Sequence, residues 1–475
     1  MPKHFKQYDE LDLPKVANEV LEQWEAEDTF GQSLELRKNA PPFVFYEGPP
    51  SANGLPGIHH VMARAIKDIF CRFQTQKGKL VHRKAGWDTH GLPIELGVEK
   101  ELGITKEDIG KTISIEDYNA ACKKAVMRYT DVWNDMTRRI GFWLDLEHPY
   151  VTYQTKYIES VWHLLKKLYD DQLLYKGYTI QPYSPAAGTG LSSHELNQPG
   201  TYKNVKDTSA VAMFKVVRDA NSEFLFTPSP WQKGPGNEGV FILAWTTTPW
   251  TLPSNTALTV GPKLEYVRIK SFNPYTHEAQ TMVLAKTRIS AYFSEKNFID
   301  PAAWEASADA YAKDGKHTPW TMDQEFFGHQ LEGIHYEQLL PYAQPDQGEA
   351  FKVIGGDFVT TEDGTGVVHT APSFGADDMR VARQHNIGTL TLVDLQGRFT
   401  KEMGEFAGKY VKNEYYPVGT APEKSVDVEL SIKLKEMGRA FKVEKYEHNY
   451  PHCWRTDKPI LYYPLDSWFV RTTAK

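Results

Sequence analysis

The sequence predicts an α/β protein whose first part is built on a parallel sheet and whose second part is rich in β-structure. Three observations carry this. The apolar run Phe43-Val44-Phe45-Tyr46-Glu47 is followed by Gly48-Pro49-Pro50-Ser51-Ala52-Asn53-Gly54, a segment of helical period and the extended Leu80-Val81-His82-Arg83-Lys84. A strand, a glycine-rich loop, a helix and a second extended segment in succession form the pattern of a β-α-β unit, whose strands run parallel. From about residue 200 the texture changes to extended runs, such as 211–217 and 240–245.

Each element has its own warrant. Residues 43–47 read as a short strand, because they are apolar and end at glycine and proline, which neither helix nor strand can continue. Met62, Ile66, Ile69, Phe70 and Phe73 recur at helical spacing with Arg64, Lys67, Asp68 and Arg72 between them, and Gly78 ends that helix. Tyr118, Cys122, Ala125, Tyr129, Trp133, Met136 and Ile140 step by three or four behind a capping box at Ser114 and Asp117, which predicts a further helix. Val161, Leu165 and Leu168 behind Tyr157 predict another. The β-rich region is expected over 196–446, with a loop at Pro228-Ser229-Pro230-Trp231-Gln232-Lys233-Gly234-Pro235-Gly236, and core-like sequence returns over 447–475.

Composition narrows the class. Among 475 residues, 41 % are hydrophobic and 24 % charged, which excludes collagen-like and disordered chains. Lys plus Arg (54) against Asp plus Glu (61) leaves −7, so no global positive field marks a nucleic-acid binder and any such contact must be local. Three distant cysteines, Cys71, Cys122 and Cys453, point to a reducing compartment rather than a disulfide framework. The charged N-terminus and the lack of an apolar run near ~20 residues predict a cytoplasmic protein without a membrane span.

The loop from Gly48 to His60 follows a strand and opens a helix. Free backbone N–H groups, the positive end of a helix dipole and the imidazoles of His59 and His60 then meet at one point, an arrangement suited to an anion. With Lys67-Asp68-Ile69 and Gly86-Trp87-Asp88-Thr89-His90-Gly91-Leu92-Pro93-Ile94-Glu95, this region resembles the nucleotide and amino-acid site of class I aminoacyl-tRNA synthetases, and the ten-residue stretch resembles their isoleucyl branch. The resemblance implies that Asp88 and the backbone carbonyl of Pro49 hold the substrate α-ammonium, that His90 and Trp468 belong to the amino-acid site, and that Gly57, Ile58, His59 and His60 serve ATP and catalysis. One departure stands out. The family signature on this helix is His-x-Gly-His, whereas the aligned residues are Gly57-Ile58-His59-His60, with the first His and the Gly exchanged. On a helical wheel, positions 57 and 59 lie ~200° apart, so His59 is expected to reshape the nucleotide pocket and to lower the affinity of adenylate-mimicking inhibitors.

Two motifs mark the β-rich region. Trp245-Thr246-Thr247-Thr248-Pro249-Trp250-Thr251-Leu252-Pro253-Ser254-Asn255-Thr256-Ala257 reads as a β-branched strand ended by proline. Gly364-Thr365-Gly366-Val367-Val368-His369-Thr370-Ala371-Pro372-Ser373-Phe374-Gly375-Ala376-Asp377-Asp378 reads as a glycine turn, a strand and a helix start with early aspartates. Together they resemble the editing domain of isoleucyl-tRNA synthetases, and Ala371 to Asp378 resembles the eukaryotic form. The resemblance implies that Asp378 anchors the α-ammonium of the misacylated amino acid. Thr246, Thr247 and Thr248 then offer hydroxyls to the ester or to attacking water, and His369 helps fix the terminal adenosine or the water.

Tyr450-Pro451-His452-Cys453-Trp454-Arg455-Thr456-Asp457-Lys458-Pro459-Ile460 and Ser467-Trp468-Phe469-Val470 resemble the return to the catalytic domain, with Trp468 as one wall of the isoleucine pocket. Ser184-Pro185-Ala186-Ala187 and the single Cys453 replace the cysteines that many relatives use for zinc, so no structural zinc and no other resident metal is expected. The implied fold is a Rossmann-like parallel-sheet catalytic domain (1–195), interrupted by a β-barrel-like editing domain (196–446) and resumed over 447–475. The implied activity is that of an isoleucine–tRNA ligase using ATP and Mg²⁺, with tRNA(Ile) and isoleucine as partners, hydrolysing mischarged valyl-tRNA(Ile) and acting as a monomer. The Lys-Met-Ser-Lys-Ser signature and an anticodon-binding region do not occur in the 475 residues. The expectation is therefore about half of an enzyme, with a complete editing site and an incomplete synthetic one. A stand-alone editing deacylase and a non-catalytic tRNA-binding fragment are the alternatives.

Overall fold

The computed structural model describes residues 10–227, 239–304, 311 and 318–474, and the loop read at Pro228–Gly236 lies outside them. The chain divides into two compact units, residues 1–175 with 470–475 and residues 176–469.

The first unit carries helices α1 (Leu13–Ala26), α2 (Thr29–Glu35), α3 (Ile58–Gln76), α4 (Leu92–Leu102), α5 (Ile115–Val126), α6 (Thr130–Arg139) and α7 (Thr155–Asp170). Strands β1 (Lys84–Trp87) and β2 (Asp145–Val151) pair in parallel, with Trp87 opposite Val151. Residues 43–47 form no strand. Pro42 makes a parallel bridge to Leu80, and the Phe43 N–H donates to the Leu80 carbonyl at 2.8 Å. Beyond that the segment is extended but unpaired, with Val44 66 % and Tyr46 89 % exposed. The β-α-β crossover is therefore present, closed by one bridge instead of a ladder.

The single helix expected across 118–140 is two. The Tyr129 N–H donates to the Ala52 carbonyl at 3.0 Å, and the Thr130 hydroxyl donates back to the Met127 carbonyl at 2.9 Å. A tertiary bond to the glycine-rich loop thus breaks the helix while leaving its apolar period in phase. Ser114 caps α5 as expected, its Oγ accepting from the Asp117 N–H at 3.0 Å. Ala52, Trp87, Trp133 and Val151 pack together beneath the loop. On α3 the apolar stripe Met62, Ile66, Ile69, Phe70 and Phe73 is exposed, whereas Arg64, Cys71 and Thr75 are buried. Charge pairing directs this face: Asp68 holds both Arg72 (2.7 Å) and buried Arg83 (2.9 Å).

The second unit is dominated by a curled, mixed sheet of nine strands. Its path runs β10 (Thr321–Phe327), β8 (Glu265–Phe272), β9 (Ala279–Ala285), β6 (Val240–Thr246), β12 (Val367–Thr370), β7 (Ala257–Val260) and β11 (Lys352–Gly355). Strand β6 also pairs with β5 (Tyr202–Lys215), which forms a long antiparallel ribbon with β13 (Ala440–Pro451). The start of β6 pairs with β9 and its end touches β12 at Trp245 opposite Val368, both in parallel. One strand thus feeds two diverging branches, which curls the sheet into a half-barrel. Ile242 and Ala244 face one buried cluster, and Phe241 and Leu243 another. Burial on both faces explains why 240–245 reads as an unbroken apolar run. A separate sheet joins β3 (Leu174–Ser184) with β4 (Thr189–Gly190) and β14 (Leu461–Val470).

Candidate functional site

In the first unit, the loop before α3 opens a cleft of ≈ 340 Å³ lined by Gly48, Pro50, Asn53, His60, Arg64, Lys67 and Trp133, among others. The Trp133 indole N–H donates to the Gly54 carbonyl at 2.8 Å and so fixes the loop to α6. The His60 ring meets Trp133 edge-on at 4.7 Å, and the Arg64 guanidinium lies 5.0 Å from the Trp133 ring while its Nε donates to Thr137 Oγ1. Lys67 Nζ is held by Glu47 at 2.7 Å. A helix N-terminus with His60, Arg64 and Lys67 along one side suits a polyanion.

The exchanged Gly57 and His59 have a definite geometry. Gly57 is the helix N-cap, with extended φ −105° and ψ 172°. Its N–H donates to His60 Nδ1 at 2.9 Å, so neutral His60 carries its proton on Nε2. Burial, followed by His59 and Arg64, holds the His60 pKa below its ordinary value. A Cβ on Gly57 would stand 2.8 Å from His59 Cε1, and the His59 and His60 rings lie 3.8 Å apart. The 200° separation expected between positions 57 and 59 does not keep the ring away. Position 57 lies outside the helix, and the His59 ring folds back into the volume that a side chain at 57 would fill.

Asp88 follows β1, and its N–H donates to the Pro50 carbonyl at 2.9 Å, which sets it beside the Pro49-Pro50 turn. Its exposed carboxylate accepts from the His90 N–H at 3.3 Å. Thr152, invisible to motif reading because it lies more than sixty residues downstream, bonds both the Thr89 N–H (3.0 Å) and His90 Nδ1 (2.9 Å). Trp468 belongs to the second unit, on β14, and is 62 % exposed.

In the second unit, the ends of β6 and β12 meet the helix Ala376–Gln384 around a pocket of ≈ 280 Å³. Trp245, Thr246, Thr247, Thr248, Thr251, Val368, His369, Ala371, Phe374 and Asp378 line it. The structure thus brings all five expected residues of the threonine, His369 and Asp378 group to one cavity. Asp378 Oδ2 accepts from the Ala371 N–H at 2.8 Å, and a Cβ on Gly375 would stand 2.8 Å from Asp378 Cγ, so glycine is what lets the carboxylate fold back. Burial pushes the Asp378 pKa up to about 6, against the Ala371 N–H and with the aid of Asp377. Enclosed but open to the pocket, this carboxylate is suited to a cationic group that repays its desolvation.

The hydroxyls of Thr246 and Thr248 lie 3.3 Å apart, and the Thr248 N–H donates to Thr246 Oγ1 at 3.1 Å. His369 is engaged at both ring nitrogens, with Thr251 Oγ1 and Asn255 Nδ2 each at 2.9 Å, and burial pushes its pKa down to about 3. Thr251 and Asn255 stand in the threonine motif itself, where spacing alone assigns them no part. Asp427, which accepts from the Trp250 N–H at 2.8 Å, and Tyr336, which donates to Asn255 Oδ1 at 2.7 Å, come from distant segments that no local pattern connects to the pocket.

Residues 19–474 match the family described as tRNA synthetases class I (I, L, M and V). With its helix-N-terminal cleft and its strand-end pocket, the chain belongs to the class I tRNA synthetases. Among individual proteins, it is 57 % identical to the isoleucine–tRNA ligase of Cytophaga hutchinsonii over 98 % of this chain, and 54 % identical to that of Porphyromonas gingivalis over 100 % of it. The isoleucine–tRNA ligase of Clostridium tetani is 42 % identical over 97 % of this chain. The chain spans 42 %, 42 % and 38 % of these relatives' lengths, respectively. A solved editing domain of the P. knowlesi cytosolic leucyl-tRNA synthetase aligns with 53 % of this chain and 99 % of its own at 10 % identity and a TM-score of 0.32.

Proposed function

We propose that this chain carries the amino-acid activation and editing chemistry of an isoleucine–tRNA ligase. The observation that carries the reading is the pocket of the second unit, where a partly buried carboxylate, Asp378, shares a small cavity with Thr246, Thr247 and Thr248. Asp378 pairs with the α-ammonium of a misplaced valine on tRNA(Ile). The threonine hydroxyls orient the ester and a water, and the water attacks the ester carbonyl, releasing valine and free tRNA. No protein nucleophile is needed, because the ester is already activated. Such a second site has a physical cause: a single methylene is worth only about 1–3 kcal/mol to an apolar pocket, a figure established on isoleucyl enzymes themselves and not obtained from this chain.

Activation is assigned to the first unit. The isoleucine carboxylate attacks the α-phosphorus of ATP with loss of pyrophosphate, and the acyl group then passes to the tRNA 3′ end. Asp88 and the Pro49 carbonyl hold the ammonium, and His90 supports Asp88. Gly57, Ile58, His59 and His60 receive the nucleotide, where positioning and charge stabilisation do most of the chemistry. Mg²⁺ belongs to this reading only as a counter-ion carried on the triphosphate. Among the described residues no group of three or more His, Cys, Asp or Glu could hold a metal ion. The domain assignment is 1–195 and 447–475 for synthesis and 196–446 for editing, in a cytoplasmic monomer. Among the described residues no helix is long and apolar enough to cross a membrane.

The test is hydrolysis of valyl-tRNA(Ile) by the wild-type chain and by Asp378→Ala. Loss of hydrolysis in the variant is expected; an unchanged rate contradicts the assignment.

A further inference from the structure

The hydrogen bonds behind the threonine pocket run in one direction, and a single carbonyl sets that direction. The Ala257 carbonyl, an acceptor only, lies 2.8 Å from one end of the Asn255 amide, which must therefore be the NH₂. The other end is the carbonyl Oδ1, and it accepts from the Tyr336 hydroxyl at 2.7 Å. The same NH₂ stands 2.9 Å from His369 Nδ1, and a group with only hydrogens to offer leaves Nδ1 as a bare lone pair. The proton of the neutral ring is then on Nε2, aimed at Thr251 Oγ1 at 2.9 Å. The Thr251 hydroxyl passes its own hydrogen to the Thr248 carbonyl at 2.8 Å. Tyr336 and Asn255 are 2 % exposed, and His369 and Thr251 7 %, so bulk water has little access with which to reverse the order.

We propose that Asn255 and Tyr336 are positioning residues that lock His369 as its Nε2–H tautomer and, through Thr251, hold the threonine loop for ester hydrolysis. In this arrangement His369 neither takes a proton from the attacking water nor carries a charge; it is a fixed donor behind the hydroxyls. A proton on Nδ1 would face the Asn255 NH₂, and an imidazolium would face it too, so both alternative states oppose the surrounding bonds. The lock rests on the proposed editing reaction for its purpose but not for its existence.

The experiment is ¹⁵N NMR of the histidine ring nitrogens in the full chain, with the His369 signals assigned by their loss in His369→Gln, alongside valyl-tRNA(Ile) deacylation. In the wild type, His369 should show an unprotonated Nδ1 and a protonated Nε2. Asn255→Asp replaces the donor by an acceptor, so it should move the proton to Nδ1, introduce a histidine titration into the deacylation pH profile and slow the reaction about tenfold or more. If that variant fails to fold, Tyr336→Phe keeps the test alive. It removes one of the two bonds that hold the amide, leaving the Ala257 carbonyl, so it should admit a share of the Nδ1–H tautomer and slow deacylation several-fold. A protonated Nδ1 in the wild type, or a tautomer and pH profile unmoved in both variants, would overturn the lock. A locked Nε2–H tautomer in a wild-type chain that does not hydrolyse valyl-tRNA(Ile) would support the lock and overturn the editing reading instead.

Discussion

At the scale of single residues, two features of the candidate sites carry predictions. The first is the Gly57 and His59 exchange. His59 reaches the space of a side chain at 57 because Gly57 is an extended N-cap. Restoring the usual order with Gly57→His and His59→Gly is expected to change the rate of ATP-dependent activation and to tighten binding of adenylate-mimicking inhibitors. Steady-state activation rates and inhibition constants check this, and equality of both with the wild type contradicts it. The second is Asp378. Its pKa is raised to about 6 by burial, and only the carboxylate form can pair with an ammonium. Deacylation should therefore fall as pH drops through about 6, and Asp378→Asn should be slow at every pH. A wild-type profile flat between about pH 5 and 8 would contradict the role.

At the scale of elements, tertiary bonds decide what periodicity leaves open. The Ser114 cap is legible because both partners lie within one turn, and Ser114→Ala should cost about 1 kcal/mol in denaturant unfolding. The break between α5 and α6 is not legible: the apolar steps continue in phase, while the bond from Tyr129 to Ala52 joins segments far apart in the chain. The lost strand at 43–47 has the reverse cause. Its apolar run is real, but among the described residues no strand pairs with it beyond the bridge to Leu80. Likewise, the threonines and Asp378 announce themselves, whereas Tyr336 and Asp427 are ordinary residues until the fold delivers them.

Asp427 ties the helix Val426–Glu436 to the turn Pro249–Ser254 through the Trp250 N–H. Burial pushes its pKa up to about 7, against the pull of Lys412. The folded state then binds this proton more tightly than the unfolded chain does. The resulting stability is fully present below the ordinary value of 3.8 and is lost as pH rises through about 7. Asp427→Asn keeps an acceptor for Trp250 and should flatten this part of the stability profile, as read by melting temperatures at several pH values. An unchanged slope would place the effect elsewhere.

At the scale of the whole molecule, the residues proposed for activation, His60 and Asp88, lie in one compact unit and the threonine pocket lies in the other. The net charge of −7 carries no signature of an anionic partner, and the basic side chains of the first unit's cleft are few and local: Arg64 and Lys67 line it beside neutral His60. Separate sites predict separable losses. Asp88→Ala should abolish isotope exchange between pyrophosphate and ATP while sparing valyl-tRNA(Ile) hydrolysis, and Asp378→Ala should do the opposite; joint loss in either variant would contradict that independence. The most direct measurement of the central claim compares hydrolysis of valyl-tRNA(Ile) and isoleucyl-tRNA(Ile) by the chain with an intact Asp378 and with Asp378→Ala. The account predicts that the valyl ester is cleaved, the isoleucyl ester is spared and the variant cleaves neither. Equal cleavage of both esters, or an unchanged rate in the variant, would contradict it.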